Sequence, residues 1–153
     1  MIQKSTEELE IILKKTHIKQ MDMYFTDNAD SLLSGDRPFS DYMRKLIKEK
    51  RLKQQDIFLD ADIPERYGYK LISGERHTRQ RDVILRLCYA AHFTLDETQE
   101  ALKIYGMSQL YVKNKRDALL MKLFDQRPGS ILEVNAQLKK YGVEALRTSG
   151  VQE

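Results

Sequence analysis

The sequence predicts an all-α chain, and three observations carry that prediction. Apolar residues recur at helical spacing almost throughout, and no segment alternates as a strand would. Starts and stops suited to helices are spread along the chain: Ser5 followed by Glu8, Pro64, Gly74, and Tyr-Gly at 105–106 and again at 141–142. The carboxy-terminal half also repeats itself. TLDETQEALKIYGMSQL (94–110) aligns with SILEVNAQLKKYGVEAL (130–146) at an offset of 36. Within it Leu95 matches Ile131, Glu97 matches Glu133, and Leu110 matches Leu146. Arg81-Asp82 and Arg116-Asp117 open the preceding helices at an offset of 35. This half therefore reads as two copies of a helical hairpin, each closed by Tyr-Gly.

Each element has its own signal. Ser5 with Glu8 forms a capping box for an acidic amphipathic helix with Leu9, Ile12 and Leu13 on one face. Residues 28–38, with Ser34, Gly35, Asp36 and Pro38, read as a linker. A helix is expected from near Ser40 to near Arg51, burying Tyr42, Met43, Leu46 and Ile47. Another spans Lys53 to Ala61, with Ile57, Phe58 and Ala61 inside. Asp62 and Ile63 then break the chain. Pro64 suits the first turn of a helix, where its missing N–H is no loss, and Gly74 stops that helix in the left-handed conformation. Thr78 is expected to cap a longer helix through Ala91, with Val83, Ile84, Leu87 and Cys88 as its inner stripe.

Composition bounds the function. The chain has 153 residues, 41% hydrophobic and 32% charged, with one Cys. That is enough to build a core without disulfides or metals, and one cysteine points to a reducing, cytoplasmic setting. No apolar run is long enough for a membrane span, and the start lacks a signal-peptide apolar region. Charge is unevenly spread: residues 1–36 carry net −3, residues 37–82 net +4, and residues 83–153 net +2. The basic middle suits nucleic acid, although a solvated helix face would look the same. His17, His77 and His92 have no metal-ligand spacing, and Cys88 reads as a small buried hydrophobe. With no Gly-rich phosphate loop, paired-carboxylate cleft or serine elbow, the chain is not expected to be an enzyme or to hold a cofactor or metal.

The stretch QQDIFLDADIPERYGYKLISG, Gln54 to Gly74, within 43–95, resembles the helix-turn-helix domain of Cro and phage-repressor-type transcription regulators. Gln54 stands at the motif's first position, Ile57 and Ile63 at its apolar positions, and Leu71 and Gly74 close it. RDVILRLCYAAHFTLDE resembles the family's next helix and the start of another. With GYKLISGERHTRQRD and LYVKNKRD, the whole chain resembles a regulator type of Gram-positive bacteria that joins this domain to a helical tail. The resemblance implies a lambda-repressor-like fold, divided as an amino-terminal arm (1–36), a DNA-binding domain (37–95) and a helical repeat extension packed on it (96–153). Three residues depart from the family pattern: Phe58 replaces a small residue, Asp62 a turn glycine, and Gly68 an Ile or Val. Asp tolerates left-handed backbone. Phe58 and Gly68 face each other in this fold, so their exchange of sizes conserves core volume. Contact between Phe58 and the Gly68 backbone is therefore expected.

A helix about 10 residues long fits the major groove. On 64–73, Tyr67, Leu71 and Ile72 take the inner side, leaving Glu65, Arg66, Tyr69 and Lys70 outside. Arg66 can fork to a guanine edge, Glu65 can accept from cytosine N4, and Tyr69 and Lys70 can reach base or phosphate. The resemblance makes Gln54 a phosphate donor, beside Gln55 and with Pro64 opening the reading helix. Arg76, His77, Thr78 and Arg79 follow as candidate backbone grips. Glu65, Asp60 and Asp62 oppose phosphate. The expected function is a sequence-specific DNA-binding transcription regulator of double-stranded DNA. Its alternative is a non-catalytic protein-interaction adaptor working through 94–146. A homodimer is expected, because one recognition helix reads only a few base pairs. Leu9, Ile12, Leu13, Leu110, Tyr111, Leu119, Leu123 and Phe124 are the candidate dimer residues.

Overall fold

The structure is a computed structural model that describes residues 4–28 and 38–148. The chain is all-helical as expected, and the described residues contain no strand. It divides into two units, residues 1–36 and 37–153. The expected linker, with Ser34, Gly35 and Asp36, lies outside the described residues.

The first unit holds α1 (Thr6–Lys15), a short 3-10 turn (Ile18–Gln20) and α2 (Met21–Asp27). Ser5 Oγ accepts the Glu8 N–H at 3.1 Å, satisfying one of the orphan donors of α1. Lys4 Nζ donates to Asn28 Oδ1 at 2.6 Å and so joins the first and last described residues of the unit. The expected inner face of α1 is shallow: no residue of this helix is buried, and Leu13 is exposed. Only Tyr24 and Asn28 of the unit's described residues are buried.

The second unit contains α3 (Pro38–Glu49), α4 (Gln54–Ala61), α5 (Glu65–Ser73), α6 (Arg81–Ala90), α7 (Leu95–Tyr105), α8 (Lys115–Gln126) and α9 (Ile131–Lys140). Pro38, expected in the linker, instead belongs to α3, where its fixed φ is compatible with a first turn. Helix α6 forms the centre, with every residue from Asp82 to Ala90 buried. Around it Met43, Ile57, Phe58, Leu71, Ile72, Leu102, Leu120 and Leu138 make one core. Each such side chain contributes roughly 1.5–3 kcal/mol when fully buried.

The two copies of the sequence repeat have matching devices. Thr94 and Ser130 cap α7 and α9, with Glu97 and Glu133 completing a capping box in each. Gly106 and Gly142 follow these helices at φ 85° and 74°, where a Cβ would be strained. Gln99 Oε1 accepts the Leu110 N–H at 2.7 Å, and Asn135 Oδ1 accepts the Leu146 N–H at 2.8 Å.

The Arg-Asp pairs are crossed. Arg81 forks onto Asp117, at 2.5 and 3.2 Å, and Arg116 forks onto Asp82, at 2.9 and 3.1 Å. Each aspartate also accepts a backbone N–H from the other copy's last loop: Asp117 from Tyr111, Asp82 from Arg147. Each arginine also donates to carbonyls of its own copy's loop, Arg81 to Ser108 and Gln109, Arg116 to Glu144 and Ala145. Exchanging the copies maps this network onto itself, the relation of a local two-fold. A translational stack would leave the second copy's contacts directed at a third hairpin. Tyr89 and Phe124, equivalent at the offset of 35, meet edge-to-face at 5.3 Å, as residues near such an axis should.

Candidate nucleic-acid interface

Helix α4 ends at Ala61, and Asp62 takes the left-handed conformation at φ 55°, ψ 49°. This is the turn position at which the resemblance calls for Gly, and Asp fills it. The Ile63 N–H returns to the Phe58 carbonyl at 2.9 Å, so the turn closes on α4 itself. Pro64 then serves as N-cap rather than as the expected first helical residue, and its carbonyl accepts the Gly68 N–H. The reading helix is thus Glu65–Ser73, one residue shorter at its start than expected.

Phe58 is buried against the Gly68 backbone, as the exchange of sizes predicts. A Cβ built on Gly68 would lie 2.6 Å from Cε1 and 2.7 Å from Cγ of the Phe58 ring. Glycine leaves room for the ring, and any larger residue would have to displace it. Tyr69 then packs edge-to-face on the same ring at 4.9 Å, which orients a side chain still 43% exposed.

The outward face of α5 has the expected residues. Tyr67, Gly68, Leu71 and Ile72 are buried, Glu65, Arg66 and Tyr69 are exposed, and Lys70 is half-buried. Gln54 opens α4 half-buried, with Gln55 exposed beside it. After α5, the Arg76 N–H donates to the Lys70 carbonyl at 3.1 Å, and its guanidinium lies over the Tyr67 ring. The His77 ring stacks on Tyr105 at 4.3 Å and remains exposed.

Thr78 is a correction. It is fully buried, its N–H donates to the Tyr105 hydroxyl at 2.7 Å, and its own hydroxyl accepts the Gln80 N–H. A residue in that position cannot grip a phosphate. Nor does it cap α6, which begins at Arg81 behind Gln80. A Thr before a helical stripe reads as a cap in sequence; here it forms a turn two residues too early. The expected dimer stripe in the repeat is corrected too. Leu110, Leu123 and Phe124 lie in the chain's own core, while Tyr111 is exposed.

Sequence reasoning missed two features next to this face. Arg86 is 3% exposed and donates to the carbonyls of Ala61, Leu146 and Arg147. It links the end of α4 to the last described segment. Burial lowers its pKa, opposed by the charges of Asp62 and Asp82. An arginine in the middle of an apolar helical stripe was the available signal. The second feature is a cleft of about 310 Å³ lined by Arg79, Arg81, Arg116 and Arg147 together with Asp82 and Glu144. The two Arg-Asp pairs at an offset of 35 pointed to it, but only tertiary pairing brings four arginines to one place.

Cys88 is fully buried, and burial raises its pKa far above the ordinary thiol value, against the effect of Thr98. Among the described residues no three His, Cys, Asp or Glu side chains gather to hold a metal, and no helix is long and apolar enough to cross a membrane. No family model, curated protein or solved structure matches the chain.

Proposed function

We propose that this chain is a sequence-specific DNA-binding transcription regulator that reads the major groove with α5. The observation that supports this most is the division of α5. A 9-residue helix buries one side through Tyr67, Gly68, Leu71 and Ile72 and turns Glu65, Arg66, Tyr69 and Lys70 outward. Those four side chains span the donors and acceptors that base edges and phosphates require. The short left-handed turn at Asp62 holds α5 against α4 through Phe58, so the face is carried on a rigid support. In this reading the protein acts on double-stranded DNA as a homodimer, since two half-sites supply the specificity that one helix lacks. Gln54 and Gln55, with Arg76, His77 and Arg79, supply phosphate contacts around the reading helix.

The test is selection from random duplex DNA, read at two salt concentrations. A shared motif whose recovery weakens steeply with salt supports the reading. Arg66→Ala should then cost roughly 1–3 kcal/mol and relax one base position, while Lys70→Ala weakens all sequences more evenly. Unchanged binding by the double variant would remove α5 from the role. A monomer in sedimentation, both free and on DNA, would remove the dimer.

A second reading, a helical adaptor, draws on a separate observation. Leu132 is 79% exposed and Tyr141 51% exposed on and just after α9, an apolar display the core does not use. Loss of all duplex binding together with salt-insensitive capture of a protein would favour it.

A further inference from the structure

We infer that the arginine cleft between the starts of α6 and α8 is a binding site for a phosphate group. Four guanidiniums line it, and they divide into two kinds. Arg81 and Arg116 are occupied by Asp117 and Asp82, and these forked pairs fix the walls. Arg79 and Arg147 are exposed, and among the described residues neither guanidinium makes a hydrogen bond or ion pair. Of the cleft's two carboxylates, Asp82 is engaged by Arg116 and by the Arg147 N–H, leaving Glu144 as the only opposing charge without a cation. Two free guanidiniums against one carboxylate leave the open part of the cleft positive. The planar fork of arginine suits phosphate oxygens better than a point charge does.

The backbone of the site is preset. The Arg147 N–H is held by Asp82 and its carbonyl by Arg86, which also holds the Ala61 carbonyl at the end of α4. Arg79 is held in place by its neighbour Thr78, whose buried turn is tied to Tyr105. Binding therefore orders two side chains and little else, which keeps its entropic cost low. The phosphate has two possible sources, a duplex backbone beside the α5 face or a free phosphate-bearing ligand. Only the first rests on the DNA-binding reading.

Inorganic phosphate titrated into the full chain, with arginine side-chain N–H signals followed by NMR, tests the site directly. Saturable shifts at Arg79 and Arg147 are expected, with the exposed Arg44 on α3 unaffected. Arg79→Gln with Arg147→Gln should abolish saturation while leaving the thermal midpoint unchanged, since neither side chain is used in the fold. A uniform drift of all exposed arginines, Arg44 included, or saturation that survives the double variant, overturns the proposal. The source is read on duplex DNA. A fall of about 1 per chain, about 2 for a homodimer, in the slope of log affinity against log salt assigns the phosphate to DNA. An unchanged slope, or no duplex binding at all, combined with saturable phosphate binding assigns it to a free ligand and leaves the site standing.

Discussion

Hairpins α6–α7 and α8–α9 share their end devices and differ in almost everything those devices hold. Both have the capping box, the left-handed glycine, the Gln or Asn that accepts a loop N–H, and the crossed Arg-Asp pair. The first copy is sunk among α3, α4 and α5. Its Tyr105 stacks on His77, meets Phe39 edge-to-face and accepts the Thr78 N–H. The second copy's Tyr141 is 51% exposed, with none of these contacts. At the offset of 35, the buried Arg86 of the first copy stands where the second has Met121. Residues that make a hairpin are thus shared, and residues that choose its neighbours have diverged. Of the candidate DNA-facing helices, α4 packs chiefly on α6, in the first copy.

The largest effect should come from breaking what the copies share. Asp82→Ala and Asp117→Ala each strip a forked arginine of its partner and leave a backbone N–H without its acceptor. About 3 kcal/mol is expected for each, the lower end for breaking a buried pair because both arginines are partly open to solvent. Urea denaturation measures this. Near-equal losses support the local two-fold as an energetic fact. A loss at one aspartate several times that at the other would mean that the network is symmetric in geometry only.

A smaller effect tests the divergence. Arg86→Met places the second copy's residue in the first and leaves the Ala61, Leu146 and Arg147 carbonyls without their donor. Water can reach part of that site, so a loss of about 2 kcal/mol is expected, near the cost of one or two unsatisfied buried acceptors. Hydrogen exchange should show faster opening at Leu146 and Arg147, whose N–H groups are held by Asn135 and Asp82 on either side of the Arg86 contacts. Unchanged protection would show that Arg86 fills space without tying the segment down.

How legible these features were in the sequence follows the range of the physics involved. Helix identity and the glycine stops depend on residues within four positions of one another, and they read correctly; of the capping box expected at Ser5 and Glu8, only the Ser5 half forms. So did the Phe58–Gly68 contact, because two departures from one pattern explained each other. The repeat was visible from its offset, and yet the crossing of Arg81 with Asp117 and Arg116 with Asp82 was not. Spacing shows equivalence, but it does not show which copy an aspartate faces. Thr78 failed for a related reason: its hydroxyl is used by a turn tied to Tyr105, 27 residues away, and local pattern carries no trace of that bond. Leu110, Leu123 and Phe124 looked like surplus apolar surface, but all three are buried in the common core, Phe124 edge-to-face on Tyr89 of α6.

The smallest difference between the copies is electrostatic. Glu97 and Glu133 both complete capping boxes, and only Glu97 also meets Lys50, at 2.8 Å. Both carboxyls have lowered pKa values. For Glu97, burial pushes upward but is outweighed by Lys50 and the Thr94 bonds; for Glu133, the bond to Ser130 leads. A carboxyl whose pKa is lower folded than unfolded adds stability above its unfolded value, and that stability fades as pH falls through the folded value. The loss therefore sets in below the ordinary glutamate value of 4.5. Glutamine retains an acceptor for the cap in both variants but cannot pair with Lys50. At neutral pH Glu97→Gln should thus cost more than Glu133→Gln, by about 0.5–1 kcal/mol for a partly exposed pair. Urea titrations at pH 7 and at successively lower pH should show the gap closing as wild-type Glu97 takes up its proton, and shrinking in high salt at pH 7. A gap that persists once Glu97 is protonated would mean that Glu97 supports the first copy by shape and hydrogen bonding, and that the Lys50 pair contributes nothing to setting the hairpins apart.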